Sequence, residues 1–328
     1  MHKPSHLFRL GIAGFVLLAM SIFAPGARAQ TGAALLVKPW SDKSQVFDGY
    51  GDAYFFEGGH TKQSGDKFQL FDFESVGRFR IFPGNEISPR IGYDITYLDN
   101  HTRAAGIPDQ LSDESIAIGA GIAKWDKWVA GITLGIGYAG ASTFDVGSAW
   151  YGKADLVVAR EINKNDAVGF IIDYDGHRTY LPDTPLPGFG YSHRFDPKLQ
   201  VVAGAPYSSI VWKPLDHLDV DVEYYLLQDF KLSVGYEFIK HWTAYGRLDF
   251  IRDAFHADGL PPNRRILFYE QRVEAGVRFS PDDHLIFKVG LGYSWDGSYS
   301  RGWDFRQGTI IEDFADRPYL HGGLEMKY

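Results

Sequence analysis

Charged side chains recur at alternate positions along this chain, and that spacing is where its chemistry starts. In "FQLFDFESVGRFRIF", Asp72, Glu74, Arg78 and Arg80 fall on one face of an extended segment, and Phe71, Phe73, Phe79 and Ile81 fall on the other, because successive side chains of a strand point to opposite sides. The same parity separates Asp94 in "EISPRIGYDITYL" and Lys153 and Asp155 in "WYGKADLVV" from their apolar neighbours. It also separates Asp219, Asp221 and Glu223 in "HLDVDVEYYL", then Arg247 and Asp249, Glu270, Arg272, Glu274 and Arg278, and finally Lys288. Opposed acids and bases on one inner face can do one of two things. They can line a water-filled path with a transverse field that orients polar solutes, or they can pair across a narrow space and fill it.

Other chemistry is poorly represented. A literal G-x-G-x-x-G occurs at Gly135, Gly137 and Gly140, but it ends an alternating strand with no helix after it, so it reads as room for neighbouring side chains. Ser192 and His193 are adjacent, and strand neighbours point apart, which argues against a serine and base pair. His241 beside Trp242 reads as an interfacial residue at a turn, and "NHT" at Asn100 matches a glycosylation acceptor that the expected compartment makes irrelevant. No cluster has zinc or EF-hand spacing, so the expectation is no enzyme, no metal and no cofactor.

The elements that must position these charges are strands. Period-2 alternation runs from about residue 46 to the end, and helical periodicity is nearly absent. The segments reach about ten residues or more, where soluble strands average five or six. Aromatics, 16% of the chain, gather toward strand ends at Tyr97, Trp128, Trp150, Tyr224, Trp242, Phe279 and Trp295, as a membrane-interface girdle requires. Short connections ("PGN", "WDK", "INKN", "PLD", "SPDD") alternate with long ones ("DNHTRAAGIPDQLSDE", "HRTYLPDTPLPGFGYSHRFD", "RDAFHADGLPPNR", "DGSYSRGWDFRQGTIIEDFADR"). Hydrocarbon cannot satisfy an open sheet edge, so such strands must close on themselves. The expected fold is an all-β, up-and-down antiparallel transmembrane barrel over residues 46–328, with about 14 strands and a range of 12 to 16. Pro206 in "KLQVVAGAPYSSIVW" marks either a bulge or a break, and Gln228 with Asp229 reads as a very short outer loop. A lumen of this size exceeds what side chains alone can fill.

Residues 1–29 read as a signal peptide: Lys3 and Arg9, an apolar run, then Ala27 and Ala29 in an A-x-A arrangement before cleavage at Gln30. Residues 30–45 are expected to lie in the periplasm or to plug the lumen. Without the signal the chain keeps 30 basic against 41 acidic residues, a formal charge of −11, which disfavours nucleic acid as a partner. There is no cysteine, so disulfides, thiol chemistry and lipid anchoring through cysteine are excluded.

The terminal "LHGGLEMKY" resembles the C-terminal recognition signal of outer-membrane β-barrel proteins, with Gly323, Met326 and Tyr328 as its glycine, penultimate hydrophobic residue and closing aromatic. The polar residue that usually precedes the glycine is replaced by Gly322. The resemblance implies insertion into outer-membrane lipid by the barrel-assembly machinery. The whole chain also resembles porin-like barrels of families without an assigned activity, "VVAGAPYSSIVWKP" being the most similar stretch. The expected function is a passive channel for small polar solutes with a charged lumen. The alternatives are a closed structural or surface-recognition barrel and, less favoured, a barrel-embedded lipid hydrolase.

Overall fold

The computed structural model describes residues 31–37, 44–85, 87–142, 144–225 and 229–328. The expected signal peptide and its cleavage point lie outside the described residues. Eighteen strands form one antiparallel sheet, and sixteen of them close into a barrel. Those from the first to the seventh are β1 (Phe47–Phe56), β2 (Gly59–His60), β3 (Lys67–Arg80), β4 (Arg90–Thr102), β5 (Gln110–Trp125), β6 (Trp128–Gly140) and β7 (Trp150–Glu161). The next six are β8 (Asp166–Asp175), β9 (Leu186–Asp196), β10 (Leu199–Ala205), β11 (Tyr207–Leu215), β12 (Leu218–Tyr225) and β13 (Asp229–Ile239). The last five are β14 (Trp242–Phe255), β15 (Arg265–Phe279), β16 (Leu285–Gly302), β17 (Thr309–Asp313) and β18 (Arg317–Lys327). The short strands β2 and β17 extend the rims of β3 and β16 and are not part of the ring.

Closure runs through the terminus. β18 pairs with β16 on one side and with β1 on the other, in register from Asp48↔Lys327 to Phe56↔Tyr319. The Tyr328 carbonyl accepts the Phe47 amide, and the Tyr328 ring stacks on His284 at 5.5 Å. No free edge remains between first and last strand, which is the condition hydrocarbon imposes. The outward face is apolar, with Ile118, Leu134, Phe170, Val289 and Leu291 exposed, the last by 70%. This is the lipid-facing belt of an outer-membrane β-barrel. The start of β1, the end of β18 and the short turns share one rim, the periplasmic one in such barrels.

The strand count corrects the expected value of about 14 to sixteen, for two local reasons. "LPGFGYSHRFD", read as loop because of its prolines and glycines, is the strand β9, paired with β8 from Asp166↔His193 to Asp173↔Leu186. "KLQVVAGAPYSSIVW" is two strands, β10 and β11, which turn back on each other at Ala205 and Pro206. Several expected long loops also prove to be strand continuing beyond the belt. β16 runs for 18 residues and β5 for 16, where about 9 to 11 suffice to cross. In contrast β10, β11 and β12 have 7, 9 and 8 residues. The outer-loop reading at Gln228 falls outside the described residues.

The candidate G-x-G-x-x-G is settled by space. A Cβ on Gly137 would lie 2.2 Å from the Tyr151 ring, and one on Gly140 would lie 2.5 Å from the Tyr138 hydroxyl. Both glycines make room for a cross-strand or neighbouring tyrosine.

Candidate functional site: the barrel interior

Asp72, Glu74, Arg78, Arg80, Asp94, Lys153, Asp155, Asp219, Asp221, Glu223, Arg247, Asp249, Glu270, Arg272, Glu274, Arg278 and Lys288 keep, within each strand, the parity opposite to the exposed apolar residues. The register pairs place them opposite one another or opposite other inward residues. They do not form one uniform lining. Three layers and one inserted segment divide the interior.

The extracellular half is a solid core. Phe68, Leu70, Leu98, Leu111, Phe255, Ile266, Phe268, Tyr299 and Phe314 are at most 1% exposed and touch one another across the lumen. The expectation of a lumen too wide for side chains to fill fails here. The strands extend far enough above the belt for inward apolar residues to meet across the space, and the β16–β17 extension adds Phe314 from above.

Beneath this core lies a sealed layer of arginines, acids and rings. Arg272 donates to Glu270 and to Asp72, both at 2.6 Å, and its guanidinium lies 4.7 Å from the Tyr54 ring and 4.8 Å from the Phe56 ring. Arg317 reaches Glu270 at 3.4 Å and sits over Phe68 and Phe56. Ser294 donates to Glu270 at 2.5 Å. Arg272 and Glu270 are 0% exposed. Burial of charge is tolerated only when each ion is paired and hydrogen-bonded, and planar guanidinium with two carboxylates and flanking rings meets that condition.

A third layer carries the mixed network around His321. Its Nδ1 contacts Glu274 at 2.8 Å and its Nε2 contacts Asp52 at 3.2 Å, while its ring stacks on Tyr54 at 4.6 Å. Tyr245 donates to Glu274 at 2.5 Å, Arg247 pairs with Asp249, and Arg247 donates to the Tyr54 hydroxyl at 2.6 Å. This layer forms the roof of a cavity of about 480 Å³ in the periplasmic half. Asp48, Asp52, Glu74, Asp221, Glu223, Asp249 and Glu325 line it against Lys231, Arg247, Arg278 and Lys288. Two bases of the cavity have these partners: Lys288 lies 3.6 Å from Asp52 and 3.8 Å from Glu325, and Arg278 donates to Ser233 at 2.9 Å. Arg78 pairs with Asp48 nearby at 2.8 Å, and Arg80 donates to the Gln45 carbonyl at 2.7 Å. Among the described residues, Asp219, Asp221 and Glu223 on β12 form no ion pair, although Asp221 and Glu223 face the cavity.

The inserted segment is residues 31–37, which end in the helical turn α1 (Ala34–Val37). It lies inside the wall formed by β4 to β8. Thr31, Ala33, Leu35 and Leu36 are buried, and Ala33 and Leu36 touch Val157, Ala159, Ala167 and Ile171. Arg90 donates to the carbonyls of Leu35, at 3.0 Å, and Leu36. Lys153 donates to Thr31 at 3.0 Å and lies 3.6 Å from Asp175. A guanidinium on the last carbonyls of a helical turn satisfies acceptors that have no partner within the turn.

Several interior residues were not singled out from the sequence. Asp48, Asp52, Tyr50 and Tyr54 share the inward parity of β1, and that alternation in "FDGYGDAYFF" could have revealed them. Arg90, Asp113, Asp173, Asp175 and Arg317 follow the same rule on their own strands. No local signal would have revealed that Arg317 meets Glu270, since β18 and β15 are separated by β16 in the sheet. Gly323 and Met326 lie on opposite faces of β18, and Ser192 and His193 on opposite faces of β9. His193 joins Asp166 at 2.7 Å, and Gln200 donates to Ser192 at 3.3 Å, so the two do not converge. His241 occupies the β13–β14 turn with φ of 72° and contacts the Ser280 carbonyl at 2.7 Å. Among the described residues no group of three His, Cys, Asp or Glu side chains is arranged to hold a metal ion.

No protein-family model matches this chain, and no curated protein matches it. Among solved structures it is similar to a deletion mutant of the monoaromatic hydrocarbon channel TodX, at 10% identity and a TM-score of 0.45, covering 94% of this chain and 98% of the other. The toluene transporter TodX of Pseudomonas putida is similar at 8% identity and a TM-score of 0.43, covering 94% and 92%. A Pseudomonas aeruginosa FadL homologue is similar at 13% identity and a TM-score of 0.37, covering 96% and 97%.

Proposed function

We propose that this outer-membrane barrel is a gated channel for small polar solutes, and that the cavity in its periplasmic half selects cationic over anionic ones. The observation that carries this reading is the row Asp219, Asp221 and Glu223, three carboxylates on one strand that form no ion pair among the described residues, two of them facing a cavity where seven acids stand against four bases. In a low-dielectric wall such a row attracts a cation and repels an anion. The arginine and aromatic layers above the cavity act as the gate, since they occupy the path a solute would take. The reading is tested by reversal potentials of the purified barrel in planar bilayers under a KCl gradient. Cation selectivity is expected, and replacement of the three acids by Asn, Asn and Gln is expected to abolish it. Preferred passage of chloride, or no conductance steps at any voltage or pH, would overturn it.

A second reading has one observation in its favour. The extracellular half of the interior is apolar from Phe68 to Phe314, so a passage opened there would offer an apolar path. Uptake of an aromatic hydrocarbon by cells carrying the barrel, reduced by Phe268→Asp and unaffected by neutralising β12, would support it against the first.

A further inference from the structure

We propose that the inner wall beneath the inserted segment holds a site for one hard, oxygen-seeking cation, formed by Asp155 on β7, Asp173 on β8 and Thr133 on β6. The three residues stand side by side in register, Thr133↔Asp155 across one strand pair and Asp155↔Asp173 across the next. Directly opposed side chains on one sheet face have their Cβ atoms about 4.5 to 5.5 Å apart, so the three oxygen-bearing groups converge on a common centre.

Two independent features point to a missing partner. Asp155 is 3% exposed, its carboxylate lies against that of Asp173, and neither of its oxygens accepts a hydrogen bond from a donor. Thr133 is 0% exposed, and its hydroxyl has no partner either. An ionised carboxylate or a hydroxyl taken from water without compensation is costly, and two such groups adjacent to one another are a pair of donors awaiting one ligand. Charge counting agrees. Asp175 is matched by Lys153 at 3.6 Å, and Asp173 Oδ2 by Arg178 at 2.7 Å and the Tyr225 hydroxyl at 3.2 Å. Asp155 is the carboxylate left over. Like charges directly opposed across a strand pair repel, and a cation between Asp155 and Asp173 converts that repulsion into shared coordination.

The donor set consists only of oxygens, two carboxylates and a hydroxyl, which suits Ca²⁺ or another hard cation and not a metal that prefers nitrogen or sulfur. Ca²⁺ is the first choice because its coordination tolerates irregular oxygen sets and completes itself with water. The segment above closes the site. A Cβ at Gly119 would lie 3.1 Å from both Thr133 Oγ1 and Leu36 Cδ2, so Leu36 stands beside Thr133. A cation bound there would fasten the wall against which residues 31–37 rest.

The test uses the full refolded barrel in detergent, freed of divalent ions. CaCl₂, MgCl₂ and NaCl are titrated at matched ionic strength, with calorimetry and thermal melting by tryptophan fluorescence as readouts. A saturable site of unit stoichiometry is expected for Ca²⁺, accompanied by a rise in melting temperature. Asp155→Asn is expected to remove the site and to melt higher than the unsubstituted protein when no cation is present, because its buried charge is gone. Thr133→Val keeps the charge and the shape and is expected to weaken binding at least about tenfold, which decides the matter if the Asn variant fails to fold. Absence of saturable binding by all three cations, or binding unchanged in both variants, would overturn the proposal. A higher melting point for Asp155→Asn without any cation response in the unsubstituted protein would also overturn it, in favour of two acids sharing a proton.

Discussion

The two sides of this barrel are built on opposite principles. The wall in which β14, β15, β16 and β3 flank the shorter β18 and β1 is tall, and its inward charges are partnered in place: Arg272 by Glu270 and Asp72, Glu274 by His321, Arg78 by Asp48. The wall of β10, β11 and β12 is low, with strands of 7 to 9 residues, and it carries three acids in a row without an ion pair. Strand length accounts for the difference. Strands of 14 to 18 residues leave inward positions above the bilayer where aromatic side chains close into a core, and that core excludes water and favours pairing of the charges this wall carries beneath it. Strands that only just cross build no such roof. Their charges stay partly hydrated and can remain single.

The largest effect that would separate the two sides is at Arg272. Arg272→Ala leaves Glu270 and Asp72 buried and unpaired, and about 3 to 5 kcal/mol of stability is expected to be lost in urea unfolding of the barrel in detergent. Adding Glu270→Gln and Asp72→Asn should recover part of it. Of similar size, Phe268→Ala opens a cavity in the roof and is expected to cost about 3 to 5 kcal/mol. If either substitution were nearly neutral, the tall wall would not be the sealed element described above. On the lipid side, Leu291→Arg at an outward position of β16 that is 70% exposed is expected to cost about 2 to 4 kcal/mol if it lies near the bilayer midplane, read as a loss of refolding yield into vesicles. Asp221→Asn on the low wall should change stability by no more than about 0.5 kcal/mol while shifting the reversal potential toward zero. A loss comparable to that at Arg272 would erase the contrast between the walls.

A further effect, smaller than those of the tall wall and the lipid face, depends on pH. His256 follows the extracellular end of β14, where burial, aided by the Arg265 guanidinium, lowers its pKa from the ordinary 6.5 to about 4. The folded state therefore favours neutral imidazole. The stability this contributes is fully present above about pH 6.5 and is lost as the pH falls toward 4, where the unfolded chain has already taken up the proton. After allowance for partial exposure the loss is about 1 kcal/mol, and His256→Gln should flatten that part of the melting profile.

Much of the barrel was legible because its rule is local. One residue in two faces lipid, so the inward position of Asp72, Arg78, Asp155 or Glu274 follows from parity with the phenylalanines and leucines beside them, without knowledge of any partner. The same rule missed β9, because "LPGFGYSHRFD" alternates glycine and aromatic residues and reads as a turn. At Pro206 it left a break and a bulge both open, because Val201 to Ala205 and Tyr207 to Val211 look like one apolar run, and the pairing of β10 with β11 decides for the break. It could not foresee the apolar roof. Phe68, Leu98 and Phe268 have the inward parity of lumen residues and the chemistry of core residues, and only their meeting across the barrel shows which role they take.

What the chain determined by itself is therefore the architecture: a period of two, strands long enough to cross, short and long turns in alternation, and a last strand that must pair with the first because lipid leaves no edge unsatisfied. What only the tertiary structure decided is the state of the interior. Whether Arg272 lines a path or seals one depends on residues from β1, β3, β15 and β18 arriving at the same height. Whether Asp155 is paired depends on which strands flank it. Such contacts join positions 200 residues apart between Asp72 and Arg272 and still further apart between Asp52 and His321, and a periodicity confined to single strands carries no information about them.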